Sequence, residues 1–312
     1  MLRRALLAML SPASAPVSAW AQERAVRLVI AFPPGGSTDL LGRLIAPRMA
    51  EILGVTVTPE NRSGASGAVG AGVVAQAAPD GTTLLLDSGG QAVNPHLMRG
   101  LGFDYTTAFA PVTLLATLPL VLVVRADLGI RTLLALLDRL RAEPRLATYG
   151  SVGIGARTHL AMAALMRRAG LAAQHIPYRG GADQMAGLLR GDVAMGFTSI
   201  ALASPLLREG RIVALGHSLP GRADSIAAQG FPGFAIGDWL ALLAPARTPP
   251  DVVTRIAAAA AEAVNQPALQ PRLAALGLEP TAEGPEALAG FLATERAAMG
   301  SLIAAEGIRL DG

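Results

Sequence analysis

Chemistry in this sequence would sit at the junctions where a strand gives way to a helix through glycine and small hydroxyl residues. The first is Phe32-Pro33-Pro34-Gly35-Gly36-Ser37-Thr38-Asp39. Prolines stiffen the approach, glycines let backbone N–H groups come close to a bound molecule, and Ser37, Thr38 or Asp39 can cap the helix. N–H groups left uncapped at a helix start attract an anion. Asn61-Arg62-Ser63-Gly64-Ala65-Ser66-Gly67 and Tyr149-Gly150-Ser151-Val152-Gly153-Ile154-Gly155-Ala156-Arg157-Thr158 repeat the opening. For any one junction alone, a tight turn and a capped helix explain the composition equally well.

Catalytic signatures are scarce. Asp39, Asp87 and Asp238 could lie near one cleft as acid–base carboxylates, but helix capping and loop hydrogen bonding carry more weight. His96, His159, His175 and His217 are singletons with no partner at i+4, so surface or capping roles are expected and no metal site is. Every basic residue is arginine and cysteine is absent. Schiff-base chemistry, a Walker-type loop, thiol nucleophiles and disulfides therefore fall away. The Gly-x-Ser-x-Gly elbow of many secreted hydrolases is missing as well. No cofactor is expected. Trp239 suits a core or a cleft wall equally.

The elements that must position these junctions alternate. Val26 to Ala31 reads as a buried strand, and Leu40 to Leu53 as a helix broken by Pro47 and closed by Gly54. The alternation continues to Leu215, which implies an α/β fold of parallel sheets with helices on both faces. From Pro249 onward the pattern is helical alone, a terminal block expected to pack on the first domain. The absence of a low-complexity linker favours strands that cross between domains over a flexible tether.

Met1 to Ala21 reads as a secretory leader: Arg3 and Arg4, an apolar run from Ala5 to Leu10, then Ala19-Trp20-Ala21 for a signal peptidase. Lys+Arg number 26 against 23 Asp+Glu. With Arg3 and Arg4 set aside the chain is nearly neutral, and no clustered basic footprint for nucleic acid exists. Hydrophobic residues reach 52%, yet Leu114 to Val124 is too short to cross a bilayer, so the exported part reads as soluble.

Val29 to Asp39, Asn61-Arg62-Ser63-Gly64-Ala65, Ala78-Pro79-Asp80-Gly81, Ile176-Pro177-Tyr178-Arg179-Gly180 and Trp239 through Ala244-Pro245 together resemble the Bug receptors. These are the periplasmic substrate-binding subunits of tripartite tricarboxylate transporters, and the similarity runs in order from Val26 to Ile308. The resemblance implies a type II periplasmic binding-protein fold, two doubly wound α/β domains closing on a small organic acid. It divides the chain into a leader (1–21), a discontinuous first domain (22–122 plus 240–312) and a second domain (123–239). By carry-over, the loop Pro34, Gly35, Gly36, Ser37, Thr38 and Asp39 opposes the loop Ser151, Gly153, Gly155, Ala156, Arg157 and Thr158. Ser88-Gly89 and Thr198-Ser199 would line the cleft between them, and Asp238 is a further candidate ligand-binding residue. The expected product is a periplasmic monomer that passes its ligand to membrane permease subunits.

Two departures bear on ligand identity. Ala156 and Arg157 stand where relatives usually carry small hydroxyl residues, with an acidic or amide residue common near Thr198, and Leu219 to Gly230 looks shortened. Arg157 either meets a ligand carboxylate or turns to solvent or to an acid such as Asp183. Rival readings are a receptor serving a signalling partner and, behind it, a periplasmic enzyme using Asp39 and Asp238.

Overall fold

The structure is a computed structural model and describes residues 25–309. The expected leader, residues 1–21, lies outside the described residues. Strands Val26–Ile30 (β1), Val57–Asn61 (β2) and Thr83–Asp87 (β3) alternate with helices Ser37–Leu53 (α1), Ala68–Ala75 (α2) and Gly90–Leu97 (α3), and Phe109–Leu118 (β4) follows. A second group comprises Leu120–Arg125 (β5), Leu133–Ala142 (α4), Thr148–Ser151 (β6), Arg157–Arg168 (α5), Gln174–Pro177 (β7), Gly181–Arg190 (α6), Met195–Ser199 (β8), Ile200–Arg208 (α7) and Ile212–His217 (β9). The chain returns through Asp238–Pro245 (β10), Pro250–Val264 (α8), Gln270–Ala275 (α9), Glu279–Glu283 (β11) and Pro285–Glu306 (α10).

Two sheets result, ordered β11-β4-β10-β3-β1-β2 and β7-β6-β8-β5-β9. β1, β2 and β3 are parallel, as are β6, β7 and β8. Parallel strands need covered faces, and each sheet has them. In the first lobe α1 and α8 bury Ile45, Met49, Ile256 and Ala260 against one face, while α2, α3 and α10 cover the other with Val74, Ala92 and Leu288. In the second lobe α4 and α5 pack one face and α6 and α7 the other. Among the described residues no helix is long and apolar enough to cross a membrane.

Pro47 does not break α1 as the sequence suggested; the helix runs through it. The lost hydrogen bond costs about 3 kcal/mol, but Pro47 is exposed while Ile45, Ala46 and Met49 are buried, so packing outweighs it. Gly42 explains how closely α1 sits: a Cβ there would come within 2.9 Å of Ile30 and Leu86 side chains. The stretch after Pro249 is not helical alone either. Glu279–Glu283 adds an edge strand to β4, too short and irregular to leave a period in the sequence.

The chain crosses between sheets twice, at Pro119 and between His217 and Asp238. The domain limits that the resemblance implies, 122/123 and 239/240, fall inside β5 and at the start of β10. The crossings set the function-bearing geometry. Leu120 pairs with Ser199 and Val121 with His217, so β8 and β9 end beside the first crossing. In the first sheet Asp238 pairs with Leu118 and Ala241 with Asp87, so β3 ends beside the same crossing. The C-terminal edges of both parallel strand sets thus face one another, where doubly wound folds hold ligands.

Candidate ligand-binding site

At the first lobe's edge, Pro34, Gly35 and Gly36 are exposed, Ser37 is half-buried and Thr38 is buried. Asp39 is buried beneath them. Its carboxylate accepts the Gly35 N–H at 2.9 Å, Arg43 Nε at 2.8 Å and Asn61 Nδ2 at 2.8 Å. Burial opposes ionisation, yet these hydrogen bonds together hold the carboxyl below its ordinary value. Asp39 is thereby a clamp on the loop, and the Arg43 spacing at i+4 was visible in the sequence. Gly35 is the glycine the turn requires, at φ 83°. Gly36 has φ −77° and space around its Cβ position, so it does not need to be glycine for conformational reasons. It stands at the start of α1, and no side chain caps that helix.

The second lobe's loop is wired to itself. Ser151 Oγ takes the Gly153 N–H at 3.1 Å, Thr158 Oγ1 takes the Val152 N–H at 3.2 Å, and His159 Nδ1 takes the Gly155 N–H at 3.0 Å. α5 opens from Ala156 with no side-chain cap.

Gly89, Arg157 and Asp238 come together from three separate elements. The Gly89 N–H donates to Asp238 Oδ1 at 3.1 Å, and a Cβ on Gly89 would lie 2.7 Å from the Arg157 stem. Arg157 is 5% exposed; its Nε donates to Gly237 O at 2.6 Å and its Nη2 pairs with Glu295 at 2.7 Å. Trp239 Nε1 shares that glutamate at 3.1 Å, in a buried position. Arg157 therefore turns neither to solvent nor to Asp183: its carboxylate is Glu295 on α10, which places second-lobe charge on first-lobe structure. Burial lifts Asp238 above its ordinary value, with Arg157 the chief opposing influence. Arg157 Nη1 and Thr198 Oγ1 are buried without a protein partner, whereas Ser88 is buried and Ser199 half-buried at the ends of β3 and β8.

Burial drives Asp87 up to about 7; bonds from Gln91 Nε2 and the Ser88 N–H oppose this, and Asp238 adds to it. A raised carboxyl means the folded chain keeps a proton that the unfolded chain gives up. Its contribution favours folding below the ordinary pKa of 3.8 and is lost as pH rises through about 7. Asp87→Asn is expected to raise the melting temperature at pH 8, by the equivalent of at least about 1.4 kcal/mol, the worth of a single pKa unit. The gain should vanish near pH 4. Thermal melts of both proteins across that range check it, and equal melting at pH 8 contradicts it.

Sequence reasoning missed Glu295, His159 and His175. The histidine rings stack with centroids 3.8 Å apart and planes 7° apart. The β6–β7 pairing sets Tyr149 opposite His175, and His159 joins them from α5, which no local pattern in the sequence marks.

Comparison with known proteins places this geometry. Residues 41–308 match the tripartite tricarboxylate transporter family receptor. BugT of Bordetella pertussis is 32% identical over 291 residues, covering 90% of this chain and 89% of that protein. The R. palustris structure Rpa4515 with adipate superposes with a TM-score of 0.84 at 31% identity, covering 92% of this chain and 98% of that one. MatC from Rhodopseudomonas palustris with bound malate gives 0.78 at 30% identity, covering 90% and 99%. The sheet order and two crossings above are those of a type II periplasmic binding protein.

Proposed function

We propose, for a chain that belongs to the tripartite tricarboxylate transporter receptor family, that it captures a small dicarboxylate between its two lobes and delivers it to membrane permease subunits. The family is one of solute-binding receptors and not of enzymes. The observation that carries the reading is that one helix in each lobe starts with no side-chain cap at the end of a parallel strand, α1 after β1 and α5 after β6. Backbone N–H groups there favour anions. The ligands in Rpa4515 and MatC, adipate and malate, are both dicarboxylates, and two helix starts could take one carboxylate each. Arg157 Nη1 and Thr198 Oγ1 supply further donors.

On this reading residues 1–21 direct export, the receptor acts in the periplasm as a monomer, and the crossings at Pro119 and 218–237 are the hinge. A thermal-shift screen of the purified protein against organic acids tests capture. A ligand at 100 times its dissociation constant adds about 2.7 kcal/mol, and mass analysis after prolonged incubation should recover it unchanged. Absence of any shift across the dicarboxylates, or catalytic product, overturns the proposal.

A further inference from the structure

The second lobe's loop rests on three stacked rings. His159 lies flat on His175, and Tyr149 lies on His175 with centroids 5.0 Å apart and planes at 24°. Stacking orders the rings but leaves their in-plane nitrogens free, and both imidazoles spend one on the loop. Gly155 N–H donates to His159 Nδ1 at 3.0 Å, and His175 Nε2 stands 2.7 Å from Ser151 Oγ.

The proton count selects one arrangement. A hydroxyl has one hydrogen and two lone pairs. Ser151 Oγ contacts the Gly153 N–H, the Gly153 carbonyl at 2.9 Å and His175 Nε2. All three are satisfied when the Gly153 N–H and a His175 Nε2–H donate to Oγ and the hydroxyl donates to the Gly153 carbonyl. His159 must leave Nδ1 bare to accept from Gly155, so its hydrogen is on Nε2. Burial, and for His159 the neighbouring ring, holds both imidazoles neutral, His159 down to about 4. Gly155 is thus held at its N–H by His159, and two features call for glycine there: a left-handed φ of 75° and a Cβ position that would fall on Leu97 of the opposite lobe.

We propose that His159 and His175 are positioning residues of the ligand site: by holding the Gly155 N–H and the Ser151 hydroxyl they fix the peptide planes that open α5 toward a carboxylate. The inference rests on the carboxylate-receptor reading above, and its test separates the two. Adipate and malate serve as probes. His159→Asn places an amide oxygen where Nδ1 was; His159→Gln carries its amide a methylene further and cannot meet Gly155. The Asn variant should keep affinity within about threefold of wild type and keep the Gly155 amide protected from hydrogen exchange. The Gln variant should weaken binding at least tenfold and expose that amide. Nitrogen-15 spectra of the wild-type imidazoles should show His159 protonated only at Nε2 and His175 protonated at Nε2. Equal binding by the two variants, or a proton on His159 Nδ1, overturns the proposal. Should neither probe bind the wild type, the dicarboxylate reading fails, while the imidazole protons and the Gly155 exchange rate still decide the positioning role, including where the Gln variant does not fold.

Discussion

Arg157→Ala is expected to lower the melting temperature by roughly 6–12 °C, from the loss of about 3 kcal/mol in a chain of this size. The side chain is almost wholly buried and answers Glu295 and Asp238 at once, while its stem fills the space over Gly89. Removing it strands two carboxylates in a poorly solvated place, which is worse than never having buried the pair. Glu295 retains some exposure, which puts the effect toward the lower end of the range for buried pairs. Replacing Glu295 by Ala in the same chain should recover part of the loss, with a coupling of roughly 0.5–3 kcal/mol. Binding should weaken too, because the pair ties α5 of the second lobe to α10 of the first. If Arg157 served the ligand alone, affinity would fall while the melting temperature stayed put, and that result would remove the structural pair from the account.

Gly155→Ala should weaken dicarboxylate binding by roughly 10- to 100-fold, or about 1.4–2.7 kcal/mol. Two costs add. An alanine at φ 75° loses on the order of 1–2 kcal/mol of backbone preference. Its methyl would lie 2.4 Å from Leu97 Cδ1, so Leu97 must turn or the lobes must stand apart. Gly36→Ala is the control. Its φ of −77° suits alanine and its Cβ position is open, so folding should be unchanged, and only a ligand pressed against the start of α1 would notice the methyl. Calorimetric titration and melting of both variants check the pair of expectations. Affinity of Gly155→Ala within a factor of two of wild type would mean that the Gly155 backbone and its approach to Leu97 do not bear on the ligand site.

The fold was legible where composition and period agree. Strand–helix alternation, glycine-opened junctions and the lack of a tether pointed to two lobes joined by crossing strands, and the ordered motifs pointed to the family. Boundaries were less legible: between Leu114 and Val124 the only mark of a change of sheet is Pro119, and a proline among apolar residues can equally mark an edge strand. The loop residues of the candidate site could be named from sequence, but their contacts could not. Asp39 looked like a cap and proved to clamp Gly35, although Arg43 at i+4 was a readable clue. Gly35 and Gly36 are indistinguishable as letters, yet Gly35 has a left-handed φ and an N–H bound to Asp39 while Gly36 has an ordinary φ at the start of α1. Arg157 stood out, but its partner Glu295 lies 138 residues away on a helix whose packing no local pattern predicts. His159 and His175 read as isolated because histidine pairing was sought along a helix, whereas here it spans a helix and a neighbouring strand.

The central claim, that one carboxylate ligand is held by the two helix starts together, is tested most directly by amide chemical shifts during titration with adipate or malate. The account predicts that the Ser37 and Thr38 amides of α1 and the Arg157 and Thr158 amides of α5 move together, reaching saturation at one equivalent with a common midpoint. Movement confined to one lobe, or separate midpoints for the two helix starts, would contradict it.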